Sequence, residues 1–292
     1  MFVQQVINGI TVGCTYALVA LGYSMVFSVL ELINFANGGF YMLGGYITLM
    51  IYLGMSGHFW FATILSILVT GIVGYSTDRF CLRTLRKQKA PKMAALISTF
   101  GINIFIENFI MIFFGSEMKS FPNMLDFGSI NIGKVTISWI QIINLAVSLF
   151  LLLILCILVY RTKIGSSMRA ITQNVTAARL MGINVNSIIS LTFIISAALA
   201  AVAGTLVSMY YQTIDINMGT QVGMKTFAAA VLGGMGVLPG AMVGGILIGI
   251  IETLGAAYIS SGYRDAFAFI ILILILLLRP NGLFGEKQIT KV

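Results

Sequence analysis

Uncharged apolar stretches, broken by short polar segments, run through almost the whole chain. Residues 1–30 carry no charged side chain and predict one membrane span over about 6–29, since a helix needs roughly 20 apolar residues to cross about 30 Å of hydrocarbon. Residues 32–77 are likewise free of acids, lysine and arginine. They are long enough for two spans, divided by the turn Gly54-Met55-Ser56-Gly57-His58. Further spans are expected at about 93–114, interrupted by Glu107, at 135–160 and at about 188–211. Residues 226–278 are harder to divide, because Glu252 and the pair Arg264-Asp265 interrupt them.

Composition agrees with that pattern. Of 292 residues, 59% are hydrophobic and only 9% charged, against about 25% charged in an ordinary soluble domain. Too few polar groups exist to cover a water-facing surface. Soluble-enzyme, disordered, fibrous and disulfide-scaffold classes are excluded. The expectation is an all-α polytopic transmembrane bundle, about eight spans plus broken or re-entrant segments, forming one domain over 1–292. Cys14, Cys81 and Cys156 lie far apart and make neither a disulfide framework nor a zinc spacing. His58 sits in its Gly-containing turn as an interfacial residue.

Charge placement sets the orientation. The net charge of +8 does not point to nucleic acid, because no lysine or arginine precedes Arg79 and the basic residues then cluster in two short stretches. Residues 78–92 hold Arg79, Arg83, Arg86, Lys87, Lys89 and Lys92 against Asp78, and 161–179 hold Arg161, Lys163, Arg169 and Arg179. The segment between is balanced, with Glu117 and Asp126 against Lys119 and Lys134. The positive-inside rule then puts 78–92 and 161–187 in the cytoplasm and 115–134 outside. Three spans precede Arg79, so the N-terminus is expected outside. Met1 to Gln5 carry no positive charge, and the first apolar run is expected to be a span rather than a cleaved leader. Arg279, Lys287 and Lys291 against Glu286 favour an inside C-terminus, which requires 226–278 to cross three times with short or broken helices.

No catalytic constellation is visible. One histidine excludes a two-histidine metal motif, and no Gly-rich phosphate loop ends in Lys-Ser or Lys-Thr. Two Gly-rich segments do not read as ordinary spans: 32–46, with Asn34, Asn37 and Gly38, and 227–240, where Gly233, Gly234, Gly236 and Gly240 surround Pro239. Irregular backbone at membrane depth survives only when buried in protein or lining a cavity, so the segments either line a path or are kinks that pack. Glu107 and Glu252 are costly inside a membrane and either pair across helices or serve function. Small residues recur at helical spacing (Gly9, Gly13, Ala17; Ser196, Ala200, Gly204, Ser208; Gly240, Gly244; Gly245, Gly249) and predict close helix contacts. The basic loop predicts a short helix over 166–183 ending at Gly182, with Ala170, Asn174, Ala177 and Met181 on one face. That helix is either a docking element or a solvated loop.

Taken in order, these residues resemble the inner-membrane permease subunit of branched-chain amino acid ABC importers, the shorter of that family's two permeases. Gly9-Ile10-Thr11-Val12-Gly13, Tyr16-Ala17-Leu18-Val19-Ala20-Leu21-Gly22-Tyr23 and Leu32-Ile33-Asn34-Phe35-Ala36-Asn37-Gly38 look like the family's opening, with Asn37 where a histidine is common. Ile97-Ser98-Thr99-Phe100-Gly101-Ile102, Glu107-Asn108, Phe114-Gly115 and Phe121-Pro122 are similar to its fourth span. Arg169-Ala170, Ala177-Ala178 and Gly182-Ile183 look like an ATPase-coupling element. Leu232-Gly233-Gly234-Met235-Gly236, Pro239-Gly240, Gly244-Gly245 and Arg279-Pro280-Asn281-Gly282-Leu283-Phe284-Gly285 complete the pattern.

The resemblance implies a multi-pass protein of the bacterial inner membrane, without a catalytic site. It implies a second related permease, two cytoplasmic ATPases that bind the ATP and magnesium, and an extracytoplasmic binding protein delivering leucine, isoleucine or valine. Lipid surrounds the bundle and no nucleic acid is involved. Arg169, Ala170, Asn174, Ala177, Arg179 and Gly182 would couple to the ATPases. Asn34, Asn37, Gly38, Glu107, Gly233, Gly234, Gly236 and Pro239 are the path candidates, and no metal or cofactor is expected on this chain. The same family moves urea, short-chain amides and other amino acids; a secondary transporter or channel is the alternative class.

Overall fold

The computed structural model describes residues 2–54, 58–122, 128–132, 135–279 and 281–285. Its apolar runs fold as helices, the form in which one segment satisfies its own backbone without water. In chain order these are α1 (Phe2–Leu30), α2 (Ala36–Gly54), α3 (Phe59–Ser76), which continues through a π-helical turn (Thr77–Leu82) into α4 (Arg83–Lys87), then α5 (Lys92–Phe114), α6 (Trp139–Arg161), α7 (Lys163–Gln173), α8 (Val175–Leu180), α9 (Val185–Tyr211), α10 (Met218–Gly233), α11 (Leu238–Tyr258) and α12 (Arg264–Leu278). Among the described residues, seven helical stretches are long and apolar enough to cross a membrane. The helices α2 and α10 fall outside that set and lie mostly buried in the bundle. Residues 55–57 of the expected turn lie outside the described residues, but α2 stops before it and α3 starts after it.

The glycine stripes become seams. Helix α1 runs antiparallel to α11: Gly9 faces Ile250, Gly13 faces Ile246, and Gly245 faces Ala17. A Cβ at Gly13 would lie 2.8 Å from the Ile246 Cα, so the two backbones are nearly in contact. Dispersion at such distances is what drives helices together where lipid is as apolar as the side chains. The α9 stripe packs on α2, with Gly204 against the Tyr41 carbonyl and Ser208 beside Gly45. Gly240 and Gly244 close the α10–α11 pair on Gly233 and Ala229. Around this centre, α5, α6 and α12 turn large apolar side chains such as Phe105, Phe150 and Leu277 outward.

Two short antiparallel strand pairs, β1 (Lys119–Ser120) with β4 (Thr213–Ile214) and β2 (Ser129–Ile132) with β3 (Val135–Ser138), mark one end of the bundle. Gln4 joins them there: its amide donates to the Thr136 carbonyl at 2.8 Å and accepts from the Thr136 N–H at 2.9 Å. At the other end Lys92 pairs with Glu31 at 2.5 Å, and Ser28 lies 3.3 Å from Thr172. Both basic stretches therefore share one face with the end of α1, and the start of α1 shares the other with β3. That grouping matches the charge-based orientation, although Asp126 and Lys134 lie outside the described residues.

The last third holds three helices in alternating directions. Helix α10 runs toward the end that carries the basic stretches, α11 returns beside α1, and α12 runs back again; of these, α11 and the stretch containing α12 are among the seven long and apolar enough to cross a membrane. At its foot Leu283 donates its N–H to the Leu232 carbonyl at 2.8 Å and Phe284 to that of Gly233 at 3.1 Å. These bonds satisfy carbonyls left open at the end of α10. Helices α10 and α12, with 16 and 15 residues, are only about 24 and 22 Å long. The charge argument expects three crossings within 226–278, whereas α10 starts ahead of that stretch and is not among the seven membrane-capable helices. Lys287, Lys291 and Glu286 lie outside the described residues.

The two Gly-rich segments resolve differently. In the first, α1 ends on Glu31 in a left-handed conformation (φ 51°), and residues 31–35 run non-helically back into the bundle. Asn37 donates to the Val19 carbonyl at 3.2 Å and accepts from Ser196 at 2.9 Å. Val19 is eleven residues above the foot of α1, about 16 Å along the axis, so α2 begins near half depth. From Ala36 onward α2 is continuous, which corrects the reading of its glycines as helix breakers: they are contact points, Gly38 on Gly219 and Gly44 on Ala201. The second segment does break: α10 ends at Gly233 and α11 starts at Leu238. In the turn between them Gly234 (φ 103°) and Gly236 (φ 89°) supply the left-handed positions, while Pro239 sits in the first turn of α11, where a missing N–H costs nothing.

Candidate functional site

Of the eight path candidates, Glu107, Gly236 and Pro239 are not buried, and Glu107 is the charged one. Asn34 and Asn37 are buried at the start of α2, where Asn34 accepts from the Ala36 N–H at 3.3 Å, and Gly38 is pressed on α10. Gly233, Gly234, Gly236 and Pro239 build the turn between α10 and α11, three of them packed against the segments 281–285, 240–241 or 27–28. Glu107, half-buried on α5, accepts from Asn103 at 3.0 Å and from the Thr220 hydroxyl of α10. It lies fifteen residues above Lys92, about 22 Å from the cytoplasmic foot of α5.

The face around Glu107 mixes chemistry that lipid would reject. Asn217, just ahead of α10, and Thr220, Gln221 and Met224 on it are exposed in one stripe, because the opposite side carries Gly219 and Gly223 against α2. Phe100 of α5 is exposed beside it and packs edge-on against Phe35, which in turn meets Phe227. A carboxylate at the centre of a lipid-facing helix costs about 2.5–3.5 kcal/mol on the insertion scale. A carboxylate, an amide and a hydroxyl on one exposed stripe therefore belong against protein or water, not acyl chains.

A second cluster is built on the buried Lys225 and Glu252 and reaches the surface at Arg264 and Asp265. Glu252 of α11, with its side chain wholly buried, accepts from Lys225 of α10 at 3.0 Å, from Arg264 at 2.5 Å and from the Tyr16 hydroxyl of α1 at 3.3 Å. Lys225 also reaches Asp265 at 2.5 Å, and Arg264 bonds the Tyr211 hydroxyl. Two acids and two bases balance, and with Tyr16 and Tyr211 the network joins five helices, α1, α9, α10, α11 and α12. Glu252, Arg264 and Asp265 are visible in the sequence as interruptions of an apolar run. Lys225 is not, because it precedes that run and its partners lie 27 and more positions away.

The basic loop is a helix pair rather than one helix. Asn174 leaves the helical region and caps α8, accepting from the N–H groups of Thr176 and Ala177 at 2.9 and 3.0 Å. It therefore does not share a helical face with Ala170 and Ala177, which corrects that expectation. Gly182 (φ 82°) ends α8 as expected, with Ile183 donating back to the Ala178 carbonyl at 3.1 Å. Arg169 points home: it donates to the Val159 carbonyl and lies over the Tyr160 ring. Ala178 is buried, Ala170 half-buried, and Ala177 and Arg179 are exposed. The tip is apolar and bare, with Leu180 84% and Met181 82% exposed. Leu180 is a residue the sequence reading did not single out.

Comparison with known proteins places the whole chain. Residues 5–276 match the family model described as branched-chain amino acid transport system / permease component. The chain is similar to the high-affinity branched-chain amino acid transport system permease protein BraD of Pseudomonas aeruginosa, 41% identical over 100% of this chain and 98% of that one. It is also similar to the corresponding LivH protein of Escherichia coli, 38% identical with the same coverage. A probable LivH of Methanocaldococcus jannaschii is 30% identical over 92% of this chain and 88% of its own.

Proposed function

The chain belongs to the branched-chain amino acid transport permease family, and from that premise we propose that it is one permease subunit of an ATP-driven importer for leucine, isoleucine and valine. A second, related permease completes the path, two cytoplasmic ATPases bind ATP with magnesium and supply the drive, and an extracytoplasmic binding protein delivers the substrate. This chain performs no catalysis of its own.

Glu107 takes the ammonium group of the amino acid as it passes. Asn217, Thr220 and Gln221 offer donors for its carboxylate, and Phe100 and Met224 give its aliphatic side chain an apolar wall. The second permease covers this face and seals it from lipid. Closure of the ATPases on ATP moves the α7–α8 pair, which is rigidly rooted: Gly165 abuts the Val159 carbonyl and Arg169 is bonded to it. Helix α8 leads through Gly182 directly into α9, which packs on α1, α2 and α3. A push at the tip therefore reaches the centre of the bundle through one continuous element.

The observation that carries this reading is the apolar tip, Leu180 and Met181, held out from the face that the charge pattern places in the cytoplasm. Two large apolar side chains on a capped, rigid projection fit a groove in a protein partner. The test is co-purification. Leu180→Asp with Met181→Asp inserts normally and loses the ATPase subunit and transport together; retention of both by the double variant overturns the docking role. An ion-gradient transporter would need no such tip.

A further inference from the structure

Two neighbouring cavities share Leu30 and Arg86 in their walls, at the end that carries the basic stretches. One is a cleft of about 390 Å³ walled by Arg83, Arg86, Lys87, Lys89 and Arg179. The other is a smaller slot of about 170 Å³, lined largely by Leu30, Leu32, Leu82, Leu85 and Ala95. Five cations around one cleft are poorly compensated. Asp78 is bonded to Arg86 at 2.7 Å and to Ser190 at 2.5 Å, and Glu31 is taken by Lys92. Lys87, Lys89 and Arg179 make no ion pair among the described residues.

The positions of both cavities favour one occupant. They lie at the foot of α1, where the basic segment meets the end of the hydrocarbon layer. Phe80 and Met93, close in sequence to the slot residues Leu82 and Lys92, are exposed. A cationic cleft joined to an apolar slot at that level is complementary to a phosphate headgroup with a hydrocarbon chain below it. Basic pockets between helices on the cytoplasmic side are suited to anionic headgroups. A free phosphate would use only the cleft, and an acidic protein loop would leave the slot unused.

We propose that the joined cavities hold one anionic phospholipid of the inner leaflet, its phosphate among Lys87, Lys89 and Arg179 and an acyl chain in the slot beside Leu82 and Leu85. The cleft wall also includes Ile171, Val175 and the first turn of α9 at Val185 and Ile189. The lipid therefore braces the α7–α8 pair against α4, and the stiffness of that pair depends on lipid composition.

The test is thermal stability of the full-length chain, purified in zwitterionic detergent and supplemented with cardiolipin, phosphatidylglycerol, phosphatidylcholine or inorganic phosphate. The anionic lipids raise Tm by several degrees, while phosphatidylcholine and phosphate leave it near its starting value. In Lys87→Gln with Lys89→Gln, both exposed positions that tolerate replacement, at least half of that shift is lost. Ala95→Leu, which narrows the slot, reduces it independently. An equal shift with inorganic phosphate makes the site a simple anion site and overturns the lipid assignment. An undiminished lipid shift in the double variant, with or without loss of a co-purifying protein subunit, removes the lipid from this cleft.

Discussion

Lys225 and Glu252, 27 positions apart, meet at 3.0 Å inside the bundle, and Asp265 and Arg264 close the same network from α12. The network thereby ties α10, α11 and α12 to one another. Removing one member of a buried pair costs about 3–5 kcal/mol, because the other is left uncompensated. Lys225→Met is expected to lower stability by about that amount in detergent unfolding. Lys225→Met with Asp265→Asn, which leaves Arg264 to neutralise Glu252, is expected to recover part of it. Equal losses in both would mean that the network carries no compensation.

Glu107→Gln keeps the hydrogen-bonding shape of the α5–α10 contact and removes the charge. The expected result is normal membrane insertion with uptake reduced at least about tenfold, the cost of roughly 1.4 kcal/mol of recognition. Unaltered uptake would make the Glu107–Thr220 bond a helix contact only.

Two glycines separate backbone strain from space. Gly234→Ala meets both a φ of 103° and the backbone of Gly285, and is expected to cost about 1–3 kcal/mol or more. Gly101→Ala, in the middle of α5 with nothing within 4 Å of its missing Cβ, is expected to be neutral or slightly stabilising. Thermal unfolding of the two variants reads the difference directly.

Orientation is tested by impermeant maleimide in a Cys-free background. Cysteine at Gln88 or Thr172 is expected to react only after membrane disruption, and cysteine at Glu117 in intact spheroplasts. The reverse pattern would invert every assignment of sides.

What the sequence makes legible follows from what is local. The α1–α11 seam is readable because Gly9, Gly13, Gly245 and Gly249 fall at helical spacing, and close approach is the only use of a bare stripe. The break between α11 and α12 is signalled by Arg264 and Asp265, which interrupt the apolar run. The non-helical entry to α2 is signalled by Asn34 and Asn37 beside glycine. Other features depend on partners far along the chain. The glycines of α2 look like helix breakers until Gly219 and Ala201 are seen against them. Asn174 fits a helical face by spacing, yet its side chain gains more by capping α8 than by staying in the helix. Lys225 carries no local sign of burial, since only the fold brings Glu252 and Asp265 to it.

The central claim is that this chain moves branched-chain amino acids when ATP is spent elsewhere in the assembly. The most direct measurement is uptake of radiolabelled leucine into proteoliposomes holding this chain with its companion permease, ATPases and binding protein. Accumulation is expected only with enclosed ATP on the ATPase side, to be unaffected by collapse of the proton and sodium gradients, and to vanish in Leu180→Asp with Met181→Asp. Leucine accumulation that needs no ATP and collapses with the ion gradient would contradict the account.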